Sequence, residues 1–298
     1  MTIVSAFSLA GERNNSLAAH QMLVDMRQAG RQVDYQGVFT YQQRSQLNAF
    51  QIIHQVRDGK EYEYLRRLDG SSQAAVSQPG NPLDCKRVGQ GLLEQSESLH
   101  QLYRFSIMEE QRIAGRPAIQ LWLTPKDYMR NGYRLWLDKQ SNLLLKAEVI
   151  SQVDGKLLER FQFVKLTVSQ PGELRPADEH KGWLVDVDKL PCNSSEQPVA
   201  AGRWRIDQPP KGFLLADIRR QDNGRERLLY SDGMAFFSVF IEPATQLMPD
   251  GHSHRGATVA YMTYLQSHPQ KLYSVSVVGE IPMPLAKRIA RSIRLADH

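Results

Sequence analysis

The feature that most restricts the fold of this chain is a long succession of segments in which apolar and polar residues alternate. Such alternation is typical of antiparallel strands with one buried face. No helical pattern recurs between these segments, so the alternating βαβ plan of a parallel sheet is excluded. We predict about eight strands in a strongly curved antiparallel sheet or open barrel, with helices on its concave side. The segments lie at residues 37–41, 49–54, 61–68, 103–109, 116–123, 133–137, 143–152 and 156–168.

Two helical patterns accompany this sheet. Residues 16–30 have apolar residues at helical spacing, with Ser16 as the predicted N-cap and Gly30 as the stop. Leucines in residues 90–102 indicate a short helix or a lid-like excursion. Asp154-Gly155 is a strong turn signal between the last two strands.

The chain of 298 residues is longer than one hydrophobic core usually supports. Its periodicity disappears near residue 170, in a stretch rich in Pro, Glu, Ser and Gly that is typical of a linker. We therefore predict an N-terminal domain at 16–170, a linker at 171–202 and a C-terminal domain at 203–298.

The second domain has its own pattern of strands and one closing helix. The helix is predicted from Leu285 to Leu295, because Leu285, Ile289 and Ile293 recur at helical spacing. These elements predict a small α+β domain of about five strands. The strands lie at residues 213–219, 226–230, 234–242, 257–264 and 272–279.

The charge distribution and the missing motifs narrow the function. The net charge is +5, of which +4 falls in residues 200–298, but the cations are scattered and form no nucleic-acid stripe. No run of 18 apolar residues is present. Neither a nucleophile elbow nor a phosphate loop nor a zinc-protease motif occurs, so nothing demands an enzyme. His252 and His254 are interpreted as an exposed loop, and we expect no metal and no cofactor.

The N-terminus and the two cysteines bear on the compartment. Residues 1–10 are apolar with small residues but no basic start, which fits either a secretory signal whose beginning is missing or a frayed terminus. We favour the signal, because residues 11–15 turn abruptly polar. An oxidising compartment would permit a Cys85–Cys192 disulfide between the linker and the first domain, and the alternative is two unrelated thiols.

Two segments of the second domain are distinctive: residues 230–243 read YSDGMAFFSVFIEP, and residues 277–282 read VVGEIP. Both resemble the MucB/RseB family of periplasmic regulators of the envelope-stress sigma factor. Three more segments match in order, so the resemblance extends from about residue 17 to residue 294. They lie at residues 36–41, 112–118 and 157–163.

The resemblance implies a function and a fold. Family members have a large N-terminal domain like the lipoprotein carriers LolA and LolB, a curved half-barrel over helices, joined to a smaller α+β domain. They bind the periplasmic part of a membrane-bound anti-sigma factor of the MucA/RseA type and shield it from the site-1 protease. Lipopolysaccharide or a related lipid dislodges them. A periplasmic lipid or lipoprotein carrier is the alternative, although a simple carrier needs no second domain.

The lipid site would lie on the inward face of the half-barrel, where apolar side chains could hold acyl chains. The alternative for each of these residues is packed core. The acyl-chain candidates are Phe39, Tyr41, Phe50, Ile52, Tyr62, Tyr64, Leu121, Leu123, Leu135 and Leu137. Candidate partners for lipid phosphate, or solvated arginines of a strand edge, are Arg66, Arg67 and Arg134.

An acidic client peptide would need a basic surface, for which the second domain offers candidates; a solvated face is the alternative reading. An extended client segment could also add to a sheet edge. The oligomeric state stays open, a homo-oligomer included. The candidate residues for the client are Arg219, Arg220, Lys287, Arg288 and Arg291.

Overall fold

The computed structural model describes residues 4–70, 99–170, 173–174, 185–186, 197–268 and 271–296. The predicted fold class is confirmed, because an open, curved antiparallel sheet precedes a smaller α+β domain. Cys85 and Cys192 lie outside the described residues, so the disulfide stays a prediction. Among the helices described, none combines the length and apolar character that a membrane span requires.

The sheet of the first domain has nine described strands in the order β4-β5-β6-β7-β8-β1-β2-β3-β9. All eight predicted segments are strands, and the ninth comes from the stretch predicted as linker. The strands are β1 (Asp34–Gln43), β2 (Gln46–Arg57), β3 (Lys60–Arg67), β4 (Tyr103–Ile113), β5 (Arg116–Pro125), β6 (Gly132–Asp138), β7 (Leu144–Ile150), β8 (Leu157–Ser169) and β9 (Val185–Asp186).

Tight turns fix the register of these strands. Asp58 and Gly59 both have positive φ, of 51° and 71°, and form the two-residue turn between β2 and β3. This backbone twist matches the twist of the flanking strands, as in type I′ hairpins. The turn predicted at Asp154-Gly155 is confirmed, since the amide of Gly155 donates to Ser151 O at 2.9 Å between β7 and β8.

Two described helices cover one face of this sheet. Helix α1 (Val4–Gln32) is longer than predicted, and Ser16 lies inside it, so the predicted N-cap is wrong. Helix α2 (Leu99–Leu102) is the end of the predicted excursion at 90–102, and the rest of that segment lies outside the described residues.

The second domain has a seven-stranded sheet of order β10-β12-β13-β14-β17-β16-β15, and a two-stranded sheet of β11 and β18. All five predicted strands are present. The strands are β10 (Gln197–Pro198), β11 (Trp204–Ile206), β12 (Leu214–Arg220), β13 (Glu226–Ser231), β14 (Phe236–Ala244), β15 (Gly251–Arg255), β16 (Thr258–His268), β17 (Lys271–Gly279) and β18 (Ile293–Leu295).

Two predictions for this domain are wrong in detail. Helix α3 (Met283–Arg291) ends before Ile293, which instead begins β18 and pairs with Ile206. His252 and His254 lie in the exposed strand β15 rather than in a loop. No cluster of potential metal ligands occurs in the described part of the chain.

The closing helix packs its apolar side on the second sheet. Leu285 and Ile289 are buried in one core with Val277 of β17 and Phe237 of β14. The opposite side of the helix carries its basic residues and is left outside this core.

Candidate binding surfaces and the domain interface

Strand pairing decides which apolar candidates share a face of the first sheet. Cross-strand partners in an antiparallel pair lie on the same face. The pairs that connect neighbouring strands across the sheet are Phe39↔Phe50, Tyr41↔Phe161, Ala147↔Phe161, Leu135↔Ala147 and Leu121↔Leu135. Eight of the ten acyl-chain candidates therefore share one face, together with Phe161. They are Phe39, Tyr41, Phe50, Ile52, Leu121, Leu123, Leu135 and Leu137.

The other two candidates do not belong to this face. Tyr64 lies opposite Ile53, whereas Ile52 lies opposite Leu65, so Tyr62 and Tyr64 point to the other side of the sheet. Tyr64 is buried there in a small core with Ile53. The prediction that the two tyrosines line the same face as Phe50 is therefore wrong.

Four leucines on the shared face form packed core. They are almost completely buried, and they contact Ala19 and Leu23 of α1 and the two leucines of α2. A filled core leaves no room for a ligand, so the packed-core alternative applies to this part of the face. The four are Leu121, Leu123, Leu135 and Leu137.

The other part of the face, on β8, β1 and β2, is less covered. Phe39, Phe50, Phe161 and Ile52 are only half-buried. The Phe39 ring centroid lies 5.2 Å from that of Phe50 and 4.9 Å from that of Phe161. These four residues are called the aromatic patch below. It is apolar, partly accessible and built on three neighbouring strands, which are properties of a surface that can accept an acyl chain.

The arginines proposed for lipid phosphate already have partners. Arg66 donates to Gln51 at 3.0 Å on the opposite face, and Arg134 lies 4.5 Å from the Trp122 ring. Arg67 is the one that shares the face of Phe50, its strand partner, and it pairs with Asp69 at 2.9 Å.

The basic candidates of the second domain fall into two separate groups. Arg219 pairs with Asp217 at 2.7 Å and Arg220 with Glu226 at 2.9 Å, so both guanidinium groups on β12 have an acidic partner, which each shares with a second arginine. The other three lie on α3, which packs on β16 and β17 near the far edge of the sheet. The structure therefore does not bring the five basic residues together.

Helix α3 forms one side of a cleft of about 550 Å³, called the basic cleft below. Arg294 of β18, which the helical pattern also set on the basic side, joins the three predicted basic residues there. The lining residues are Asp207, Gln208, Pro284, Lys287, Arg288, Arg291, Ser292 and Arg294.

The basic cleft has an excess of positive charge. Arg291 lies 3.4 Å from Asp250 and 3.2 Å from the Tyr261 hydroxyl. In the parts of the chain that the structure describes, no carboxylate lies within 4.0 Å of the cations of Lys287, Arg288 or Arg294. Three positive charges without an acidic partner favour an anionic ligand.

The two domains meet at one end of the strands of the first sheet, and Arg130 is the central contact. Its guanidinium is fully buried and lies 2.6 Å from Asp232 of the second domain and 2.5 Å from Asp127 of its own loop. It also donates to the carbonyl of Lys211 and lies 4.8 Å from the Phe213 ring.

Glu159 on β8 makes the second contact between the domains. Its carboxylate accepts hydrogen bonds from the Tyr41 hydroxyl at 2.5 Å, from Gln43 at 3.0 Å and from the amide of Ala257 in the second domain at 2.8 Å. Burial and the bond to Glu159 raise the pKa of Tyr41 above its ordinary value. Gly256 is required beside it, since a Cβ there would lie 2.1 Å from Glu159 Oε1.

Between these two contacts lies Glu280, which follows β17. Its carbonyl accepts a hydrogen bond from Asn131 at 3.4 Å. Burial and the negative charge of Glu159 raise the pKa of its carboxyl from 4.5 to about 7. Burial also raises the pKa of Tyr133, whose hydroxyl has no hydrogen-bond partner among the described residues and faces Glu280, Asp232 and Glu159.

The two halves of the chain match two family models, the MucB/RseB N-terminal domain over residues 18–187 and the MucB/RseB C-terminal domain over residues 198–294. The chain belongs to the MucB/RseB family. The sigma factor AlgU regulatory protein MucB of Pseudomonas aeruginosa is 35% identical over 93% of this chain and 90% of the relative. The sigma-E factor regulatory protein RseB of Haemophilus influenzae is 25% identical over 93% of this chain and 91% of the relative.

Solved MucB structures are similar to this chain over nearly its whole length. The crystal structure of MucB in complex with MucA(peri) aligns with a TM-score of 0.71 at 32% identity, covering 94% of this chain and 100% of that one. A crystal structure of MucB alone aligns with a TM-score of 0.61 at 30% identity, covering 94% of this chain and 98% of that one.

Sequence reasoning missed the polar contacts between the domains. Asp232 and Glu280 both lie in segments that carry the MucB/RseB resemblance, where each is a carboxylate next to a strongly apolar run. A lone acid in such a place was a signal of a buried partner. The identity of that partner, Arg130 or Glu159, depends on how the domains dock.

Proposed function

We propose that this chain is a periplasmic, non-catalytic regulator that binds the periplasmic domain of a membrane-bound anti-sigma factor. The observation that carries the proposal is the alignment of both domains with MucB in its complex with MucA(peri). The membership of the family supports the same function, since the curated relatives are sigma factor regulatory proteins.

The proposed contact for the anti-sigma factor is the basic cleft. An acidic stretch of the client would lie against Lys287, Arg288 and Arg294, whose charges have no carboxylate within 4.0 Å among the described residues. A client segment held there is withdrawn from the site-1 protease, which is how binding would shield it. Charge complementarity of this kind adds to the association rate and to the choice of partner.

The proposed contact for the releasing lipid is the aromatic patch. Each methylene of an acyl chain that leaves water there would contribute about 0.8 kcal/mol. Lipopolysaccharide or a related lipid bound at the patch would release the client and expose it to cleavage. The patch is half-buried on β1, β2 and β8, whereas the leucines of the same face are already enclosed by α1 and α2.

Charge reversal in the basic cleft tests the contact with the client. The double variant Lys287→Glu with Arg288→Glu should bind the periplasmic domain of the anti-sigma factor at least about tenfold more weakly, because it replaces attraction by repulsion. Interferometry with the immobilised client measures this affinity. Lys271→Glu, at the opposite end of β17, is the control that changes charge outside the cleft. Equal affinity in the cleft variant would show that the cations are merely solvated.

A polar substitution in the aromatic patch tests the lipid contact. Phe50→Asn should bind the client normally and should need more lipopolysaccharide for its release, because an amide disfavours an acyl chain. Leu47→Asn is the matched control, since this exposed leucine lies on the same strand with its side chain on the other face. Release at an unchanged lipid concentration would exclude the patch.

A carrier of lipids or lipoproteins is the second candidate, because the aromatic patch alone would serve it. A carrier should exchange a labelled lipid between two vesicle populations without any client present. A regulator should instead retain its bound lipid in the presence of vesicles and exchange that lipid for the client. Fast vesicle-to-vesicle transfer with no capture of an anti-sigma factor would favour the carrier.

A further inference from the structure

Two carboxylates from different domains approach each other where the domains dock. Glu159 lies on β8 of the first domain and contacts Ala257 of the second. Glu280 follows β17 of the second domain. Because Gly279 pairs with Val259, Glu280 lies beside the segment of Ala257 that Glu159 contacts, and its main-chain carbonyl accepts a hydrogen bond from Asn131 of the first domain. No Lys, Arg or His of the described residues lies within 4.0 Å of either carboxyl group. Docking therefore brings two acids together without a cation between them.

The groups that face Glu280 determine how readily its carboxyl holds a proton. From the first domain these groups are Glu159 on β8, Tyr41 on β1 and Tyr133 on β6. The two arginines of the interface have other partners: Arg130 is held by two other carboxylates, and Arg255 of β15 donates to Gln43 at 3.0 Å. Glu159 receives three hydrogen bonds, whereas the carboxyl of Glu280 receives none from the described residues, so Glu280 is the acid of the pair whose pKa is raised.

We propose that docking of the two domains takes up a proton at Glu280, so that the docked arrangement is favoured below neutral pH and weakened above it. This proton uptake is distinct from the binding of client or lipid, because it requires only the two carboxyl groups and the interface that encloses them.

The direction follows from linkage between protonation and docking. The pKa of Glu280 is raised to about 7 in the docked arrangement by burial and by Glu159. When the domains separate, water returns to the carboxyl and its pKa falls toward the ordinary value of 4.5. The contribution of Glu280 to the free energy of docking is therefore complete below its pKa in the separated domains. It is lost as pH rises through its pKa in the docked arrangement. Between pH 5.5 and pH 7.5 the docking constant should fall about 20-fold.

Amide exchange of the full chain tests the proposal. The amide of Ala257 is bonded to Glu159 across the interface, so its protection, corrected for the intrinsic rate, measures how often the domains separate. It should fall about 20-fold between pH 5.5 and pH 7.5. The amide of Asp138, bonded to Leu143 within the first domain, should stay equally protected and serves as the internal control.

Two variants locate the proton. Glu280→Gln should keep Ala257 protected across this pH range, because the amide carries no charge to repel Glu159. Glu159→Gln should also make the protection of the Ala257 amide less dependent on pH, because it removes the negative charge that acts on Glu280 from the first domain. Glu109→Gln, an exposed acid on β4, should behave as the unmodified chain. Constant protection in the unmodified chain would overturn the proposal, as would a Glu280→Gln variant that loses protection with pH just as the unmodified chain does.

Discussion

Replacement of Arg130 should show how strongly the two domains depend on one buried ion pair. Arg130→Met keeps the apolar length of the side chain but removes the charge that lies 2.6 Å from Asp232. Both side chains are completely buried, so the substitution leaves a carboxylate enclosed in the interface without its cation. Breaking such a pair from one side costs about 3–5 kcal/mol.

The surroundings of Asp232 place the cost at the lower end of that range. The Tyr103 hydroxyl still lies 3.3 Å from Asp232 Oδ2, and the amides of Met234 and Ala235 donate to Oδ1. These three bonds keep part of the stabilisation of the carboxylate. We therefore expect the free energy of unfolding to fall by about 3 kcal/mol in Arg130→Met.

Urea denaturation of a double-mutant cycle measures this effect. Asp232→Asn removes the uncompensated charge, so Arg130→Met with Asp232→Asn should be more stable than Arg130→Met alone, by about 1–2 kcal/mol. Arg67→Met, which breaks an exposed ion pair, should leave the urea midpoint unchanged within error. A loss below about 1 kcal/mol in Arg130→Met, or no recovery in the double variant, would refute the reasoning.

Two further predictions concern the interface and the acid stability of the first domain. Gly256→Ala would place a Cβ 2.1 Å from Glu159 Oε1, so it should lower the exchange protection at the interface; unchanged protection would contradict the close contact. Burial raises the pKa of Asp138, but hydrogen bonds from Arg116 and Ser141 outweigh it and lower the pKa below its ordinary value. The Asp138 carboxylate therefore stabilises the fold fully above its unfolded pKa, and this stabilisation is lost as pH falls through the lower pKa of the folded state. In Asp138→Asn the melting temperature should fall less steeply with decreasing pH than in the unmodified chain. Equal slopes of melting temperature against pH in the two proteins would contradict this.

The strands of the first domain were predictable because most of their pairing is local; the pairs β1 with β8 and β3 with β9 are the exceptions. Each hairpin joins neighbours in sequence, and a turn such as Asp58-Gly59 fixes both the partner and the register. Tyr62 and Tyr64 were assigned to the wrong face because alternation shows which residues of one strand share a face. It does not show which face that is relative to the neighbouring strand. The same two-residue turn contains the missing information, because it sets Tyr64 opposite Ile53 and Leu65 opposite Ile52.

The end of helix α3 shows how a distant partner overrides a local pattern. Ile293 fits the apolar side of a longer helix as well as it fits a strand, so the sequence pattern could not decide between them. Its strand partner Ile206 lies far away in the chain, and pairing there buries Ile293 and Trp204 in the core of the second domain. Long-range burial therefore decides where the helix ends.

The candidate binding surfaces were predictable only in part. The cations of α3 could be read from helical spacing, but the cleft also needs Asp207 and Gln208 from the segment after β11. Arg219 and Arg220 are equally basic in sequence, yet each has a carboxylate partner. Asp217 lies two residues before Arg219 on β12, and the register with β13 sets Glu226 opposite Arg220. A list of basic residues therefore overstates the surface until their acidic neighbours are known.

The aromatic patch and the domain interface share two strands, which connects the proposed lipid site to the arrangement of the domains. Phe39 and Tyr41 lie two residues apart on β1, and so do Phe161 and Glu159 on β8. Residues two apart on a strand lie about 7 Å apart on the same face. A lipid that moves these strands at the patch must therefore also move the Tyr41–Glu159 bond that supports Ala257. Release of the client and loosening of the interface would then be two results of one displacement.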